Sequence, residues 1–189
     1  IAARAGQAAR QLPDPRHCRE PWRHPGTSAV RDLELRARID EIGERLARAE
    51  VLRAAGKYRE GLELAVEVEA ELAALGHPPA LVPALNLVGQ LRTDNSDYPG
   101  AEAAFARAFH LALATGLDVQ AIEAALRIAV VVGGHLQRRL EGEAWVRLAE
   151  ALQARVGESA REHHRLSQAR GVIALAASDM QAALAEQTR

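Results

Sequence analysis

Aromatic side chains are nearly missing from this sequence: Phe, Trp and Tyr together make up 3% of its 189 residues. Strands draw on β-branched and aromatic residues to fill a pleated, half-buried surface, so the shortage argues against a β-rich interior. Cysteine is almost absent too. The lone Cys18 excludes an internal disulfide framework and fits a reducing, cytoplasmic setting. Net charge is also lacking, at −1, and no face or tail carries a basic excess of the kind that binds nucleic acid. No stretch reaches 18 uncharged apolar residues and no signal-type leader is seen, so no membrane segment is expected.

What is there is a helix-forming palette of Ala, Leu, Val, Arg and Glu, with 48% hydrophobic residues to build a core. Within it, small or slim residues recur at nearly constant steps. Ala49, Gly89, Val130 and Gly171 stand 40, 41 and 41 apart. Gly61, Ala101, Gly142 and Ala183 each follow 12 residues later, and Gly76, Gly116 and Gly157 a further 15. Self-similarity at a fixed period of this size marks a repeat array. The constant offset has a mechanical reason, since two helices joined by a short turn cross closely only where both residues are small.

Residues 1–12 read as the end of a preceding helix, and residues 13–27 hold four of the eight prolines and form a linker. Residues 28–189 read as the array. Its helix pairs span about 28–76, 79–116 and 118–157, with a fourth, 159–189, cut short. In the first pair the apolar stripes are Leu33, Ile39, Ile42, Leu46, Ala49 and Leu52, then Leu62, Ala65, Val66, Val68 and Leu72. Leu85, Val88, Phe105 and Phe109 flank the second crossing, and Leu126, Trp145 and Leu148 the third. Ser28, Ser96, Ser159 and Ser178 sit at helix starts as caps. Gly133-Gly134 inside a helix costs about 1 kcal/mol per glycine against Ala, which predicts a kink or a close helix approach. The chain starts at Ile1 rather than Met and stops at Arg189 within a helical pattern, so it reads as a piece of a longer protein.

Val88-Gly89, Tyr98 and Ala101-Glu-Ala-Ala-Phe105 resemble the tetratricopeptide (TPR) signature, and Gly56-Lys57-Tyr58 looks like the turn between its two helices. The third pair departs from it, with Arg139 where the turn aromatic would stand. TPR units have 34 residues and these have 40 or 41, which is similar to the longer units of kinesin light chains and bacterial signalling proteins. The resemblance implies an all-α, right-handed superhelix of antiparallel helix pairs. More narrowly, Leu12-Pro13-Asp14-Pro15, Cys18 and the long helix before Gly56 resemble the region after the kinase domain of myxobacterial serine/threonine protein kinases. The kinase motifs themselves are absent, so this segment is expected to carry no kinase chemistry.

His17, Cys18 and His24 cluster in the linker, but adjacent His-Cys without a second Cys is a poor chelate, and no metal or cofactor is expected. His163-His164 reads as a solvated helix start. No catalytic constellation stands out. The resemblance instead implies a peptide groove on the first helices, with candidate residues Leu46, Glu50, Arg53, Asn86, Gln90, Thr93, Arg127, Val131, Arg165, Gln168 and Val172. Asn86 and Gln90 could bond a peptide backbone, while Arg127 and Arg165, about one helical turn apart, could take a carboxylate or phosphate. The expected function is a protein–protein interaction module that recruits a substrate or regulator to a kinase. Two alternatives are self-association through the array ends, covering Met180 to Arg189, and a small-ligand sensor domain.

Overall fold

The computed structural model describes residues 33–156 and 165–176, together with Ser178. These residues are all-α. Helices run in the order α1 (Leu33–Ala54), α2 (Tyr58–Leu75), α3 (Pro78–Asp94), α4 (Tyr98–Ala114) and α5 (Asp118–Val130). A π-helical turn, Val131–His135, leads to α6 (Arg139–Val156), and residues 165–176 are again helical. Residues 1–27, and with them His17, Cys18 and His24, lie outside the described residues, as do Ser28, Gly157, Ser159, His163, His164 and Ala183.

Helices α1 to α4 each stop at a residue with left-handed backbone. Gly56 has φ of 76° and lets Lys57 N–H reach back to Leu52 C=O at 2.9 Å. Gly116, at φ 72°, does the same for Leu117 N–H and Ala112 C=O at 2.8 Å. These are left-handed C-terminal stops that satisfy the last carbonyls. Gly76 is left-handed as expected, at φ 62°. At the equivalent turn after α3 the left-handed residue is Ser96, at φ 62°. Ser96 is therefore not the cap. Asp97 is: its carboxylate accepts from Gly100 N–H at 3.0 Å. Nor does Ser178 cap a helix start, since its hydroxyl donates to Ala174 C=O at 3.0 Å, a back-bond within a helix.

Turns of two or three residues bring each helix back along the one before it, and each packs chiefly on its predecessor and successor, with sparser contacts between α1 and α3 and between α3 and α5. The main core joins Val82 and Phe105 through α5 and α6 to Ile173. Two smaller clusters sit among α1 to α4, one around Ala49, Ala65 and Leu91 and the other around Ile42, Val68 and Leu72. Val66 and Leu148 depart from the expected inward stripes and are exposed, because each lies just off the buried face of its helix.

The small-residue crossing holds in the first pair, in the second Gly89 meets the ring of Phe105 rather than the expected Ala101, and in the third the partner changes. A Cβ added to Gly61 would lie 3.3 Å from Ala49 O, and one on Gly89 would lie 2.5 Å from the Phe105 ring. In the third pair the partners of Gly142 are Ala129 and Gly133, whose Cα would be 2.6 Å from the added Cβ. Val130 is not at the crossing, and Gly171 is exposed with open space beside it. The buried first-helix series is Ala49, Gly89, Ala129 and Ala169, each 40 residues after the last. The step of 41 belongs to the second helices, from Ala101 to Gly142.

One inserted residue explains the difference. Leu136 N–H bonds Val131 C=O at 2.9 Å, five residues back, as a π turn requires. The closing bond of this turn, Arg138 N–H to Val132 C=O at 2.9 Å, spans six residues where the earlier turns span five. Of the two outcomes expected at Gly133-Gly134, the close approach is found, together with a π turn. The helix widens there, and added Cβ atoms would come within 2.7 Å of Ile173 and Val172.

Candidate functional site

The C-terminal halves of α1 and α3, the α5 helix, the π-helical turn and residues 165–176, with Phe105, line an open cleft of about 250 Å³. Apolar contacts come from Phe105, Leu126, Val130, Val131 and Val172. Phe105 belongs to α4, behind the first helices, and it reaches the cleft because Gly89 has no side chain in its path. The π turn helps in a second way. It adds a residue beside the wall that Val130 and Val131 line, and π turns are frequent at functional sites.

Polar groups ring the floor. Arg53 Nε donates to Asp94 Oδ2 at 2.6 Å, joining α1 to α3 at one end. Thr93 Oγ1 is turned inward to its own helix, donating to Gly89 C=O at 2.9 Å. At the other end Glu123 Oε1 accepts from Arg127 Nη2 at 2.8 Å and lies 3.4 Å from Arg165 Nη1. The Arg127 guanidinium also stands 5.9 Å from the Phe105 ring centroid, a cation–π distance. Burial pushes the Glu123 carboxyl up, but hydrogen bonds and charge from Arg127, then Arg165, outweigh that and hold its pKa below the ordinary glutamate value. Glu123 is thus a carboxylate at neutral pH. Three arginines against one aspartate and one glutamate leave the cleft lining with a single surplus positive charge.

Eight of the eleven residues expected from the sequence meet here: Arg53, Gln90, Thr93, Arg127, Val131, Arg165, Gln168 and Val172. Three do not. Leu46 packs half-buried against the smaller cores, at the same repeat position as Leu126 and Leu166. Asn86 occupies that position in α3 and is buried, its Oδ1 without a hydrogen-bond partner, so it faces no groove. Glu50 is exposed on α1 and lies outside the cleft lining. The arginines also differ from expectation, since both converge on one carboxylate oxygen. Their long side chains close the offset between their helices.

Sequence reasoning missed Asp94, Phe105, Glu123, Leu126 and Val130 as lining residues. Glu123 and Arg127 stand four apart on one helix, a spacing that places them side by side. Phe105 was legible only as core, because nothing in the sequence says that Gly89 opens a path to it. A second cavity, of about 490 Å³, lies between α6 and residues 165–176, with Ser178 at its rim. Among the described residues no helix is long and apolar enough to cross a membrane. The chain matches no protein-family model, no curated protein and no solved structure.

Proposed function

We propose that this chain is a protein-interaction module, a TPR-like array of helix pairs wound into a right-handed superhelix, whose first helices offer a cleft to an extended peptide. The observation that carries the reading is the cleft itself. Four successive first helices each contribute side chains to one trough, with an apolar floor and amide and guanidinium groups at its edges. Such a trough suits a peptide better than a small molecule: its volume is below the roughly 300 Å³ at which enclosed ligand pockets begin. The resemblance to the region after a bacterial serine/threonine kinase domain gives the proposal its setting, in which the module brings a substrate or regulator to an attached kinase in the cytoplasm.

Site-specific photo-crosslinking tests it. A photoreactive residue at Gln168, in the cleft, should capture a discrete protein partner in cells, whereas one at Val119, exposed on α5 outside the cleft lining, should not. Equal capture from both positions, or capture from Val119 alone, would remove the cleft as the binding surface.

A further inference from the structure

The cleft's charges are unevenly shared. At one end Arg53 and Asp94 match one to one, while at the other a single carboxylate, Glu123, serves both Arg127 and Arg165. A guanidinium has five N–H donors. Arg127 uses its Nε and Nη2 on Glu123 Oε1, and Arg165 meets the same oxygen through Nη1. Both arginines therefore keep donors beyond this oxygen, and among the described residues no second carboxylate meets them, which leaves the pair one unmatched charge. We propose that Glu123 tunes this arginine pair to one class of ligand: the carboxylate side chain of a Glu or Asp in the extended partner peptide, bound between Arg127 and Arg165. The inference rests on the peptide-cleft reading and names its specificity.

Charge matching supplies the reason. A ligand carboxylate leaves two guanidiniums alternating with two carboxylates, and the group is neutral. A phosphate dianion leaves an excess negative charge beside the half-buried Glu123, and its desolvation cost grows with the square of its charge. A neutral side chain leaves the surplus positive charge unanswered. The apolar floor beside the pair, from Val130, Val131 and Val172, would take the residues flanking the acidic one. Arg127 is held for the task from below by Phe105.

The probes are three capped tripeptides, acetyl-Val-Glu-Val-amide, its Gln counterpart and its phosphoserine counterpart, titrated at pH 7.5 against the 189-residue chain. The readout is the Nε–Hε NMR signals of Arg127 and Arg165. In the unaltered chain the Glu peptide should shift both signals and bind more tightly than the other two. Glu123→Gln raises the surplus to two charges, and should tighten the Glu peptide by roughly three- to tenfold while moving the phosphoserine peptide to first rank. Arg165→Gln lies at the half-exposed rim and leaves Arg127 and Glu123 matched, so it should abolish the preference for Glu over Gln. It tests the same idea if Glu123→Gln disturbs folding. Equal binding of the Glu and Gln peptides leaves the peptide cleft standing and overturns the carboxylate assignment. A phosphoserine peptide ranking first on the unaltered chain, or an undiminished preference in Arg165→Gln, also overturns it. Silence from all three peptides overturns the assignment and the cleft reading together.

Discussion

The glycines of this chain do different jobs at positions that look alike in the sequence. Gly142 faces backbone: an added Cβ would sit 2.6 Å from Gly133 Cα and 3.1 Å from Ala129 O, and neither can rotate away. Gly89 faces the Phe105 ring at 2.5 Å, which has only the core to retreat into. Leu at either position should overpack the crossing and cost about 1–3 kcal/mol, read as a lower denaturation midpoint. Gly43 and Gly171 are exposed helical positions with nothing within 4 Å of an added Cβ. Ala there should stabilise by about 0.5–1 kcal/mol, since it removes only backbone freedom from the unfolded chain. A midpoint that moves the same way for Gly142→Ala as for Gly171→Ala would show that the close approach does not matter.

Among the elements, the turns after α1, α3 and the π turn share a left-handed backbone position held by three different residues, Gly56, Ser96 and Gln137, all at positive φ. Left-handed backbone costs a residue with a Cβ roughly 1–2 kcal/mol, partly offset by the extra freedom glycine would lose on folding. Ser96→Gly and Gln137→Gly should therefore stabilise by a few tenths to about 1 kcal/mol, while Gly56→Ala should destabilise by about 1 kcal/mol. Thermal unfolding of the three variants decides this. The π turn makes a sharper prediction. Deleting Gly134 restores the shorter offset found in the first two pairs, so the helical circular dichroism should persist. The wall formed by Val130 and Val131 should rotate, and peptide binding at the cleft should fall even though no lining residue is removed. Unchanged binding would mean that the inserted residue has no part in shaping the cleft.

Across the whole molecule, ion pairs tie helix to helix. Arg45 and Arg38 meet Glu71 between α1 and α2, Arg107 meets Glu69 at 2.7 Å between α4 and α2, and Arg138 meets Glu102 at 2.8 Å. Hydrogen bonding and charge from arginines hold Glu71 and Glu141 below the ordinary carboxylate range, as they do Glu123 against its burial. A carboxyl with a lower pKa folded than unfolded binds fewer protons in the native state. Its contribution is complete above about pH 4.3, the unfolded value, and is lost as pH falls through the folded value. The chain should accordingly lose stability on acidification below that point. Glu123→Gln and Glu71→Gln should each flatten the acid limb of the stability profile, and an acid limb identical in all three proteins would contradict these assignments.

Helix identity and spacing were legible from the residues because they depend on local chemistry. Apolar periodicity, left-handed glycines and a 40-residue step need only nearest neighbours along the chain, and they placed α2 and the stops at Gly76 and Gly116. The same local logic could reach the eight cleft residues that share one side of successive first helices. It failed where a position is decided from outside its own helix. Val130 and Ala129 differ by one place: Ala129 keeps the 40-residue step of the first helices and is buried, and the residue inserted by the π turn after Val130 makes the 12-residue offset from Gly142 point to the wrong one. Asn86 has the polarity of a groove residue, yet it stands 40 residues from Leu46 and Leu126 on the same face as they do, and neighbouring helices close over it. Glu123 turns two free arginines into a triad with one spare charge, because side chains from α5 and residues 165–176 meet on one oxygen. Periodicity determined which residues form helices; contacts between helices, each felt across tens of residues, decided which of their side chains face the cleft and with what charge.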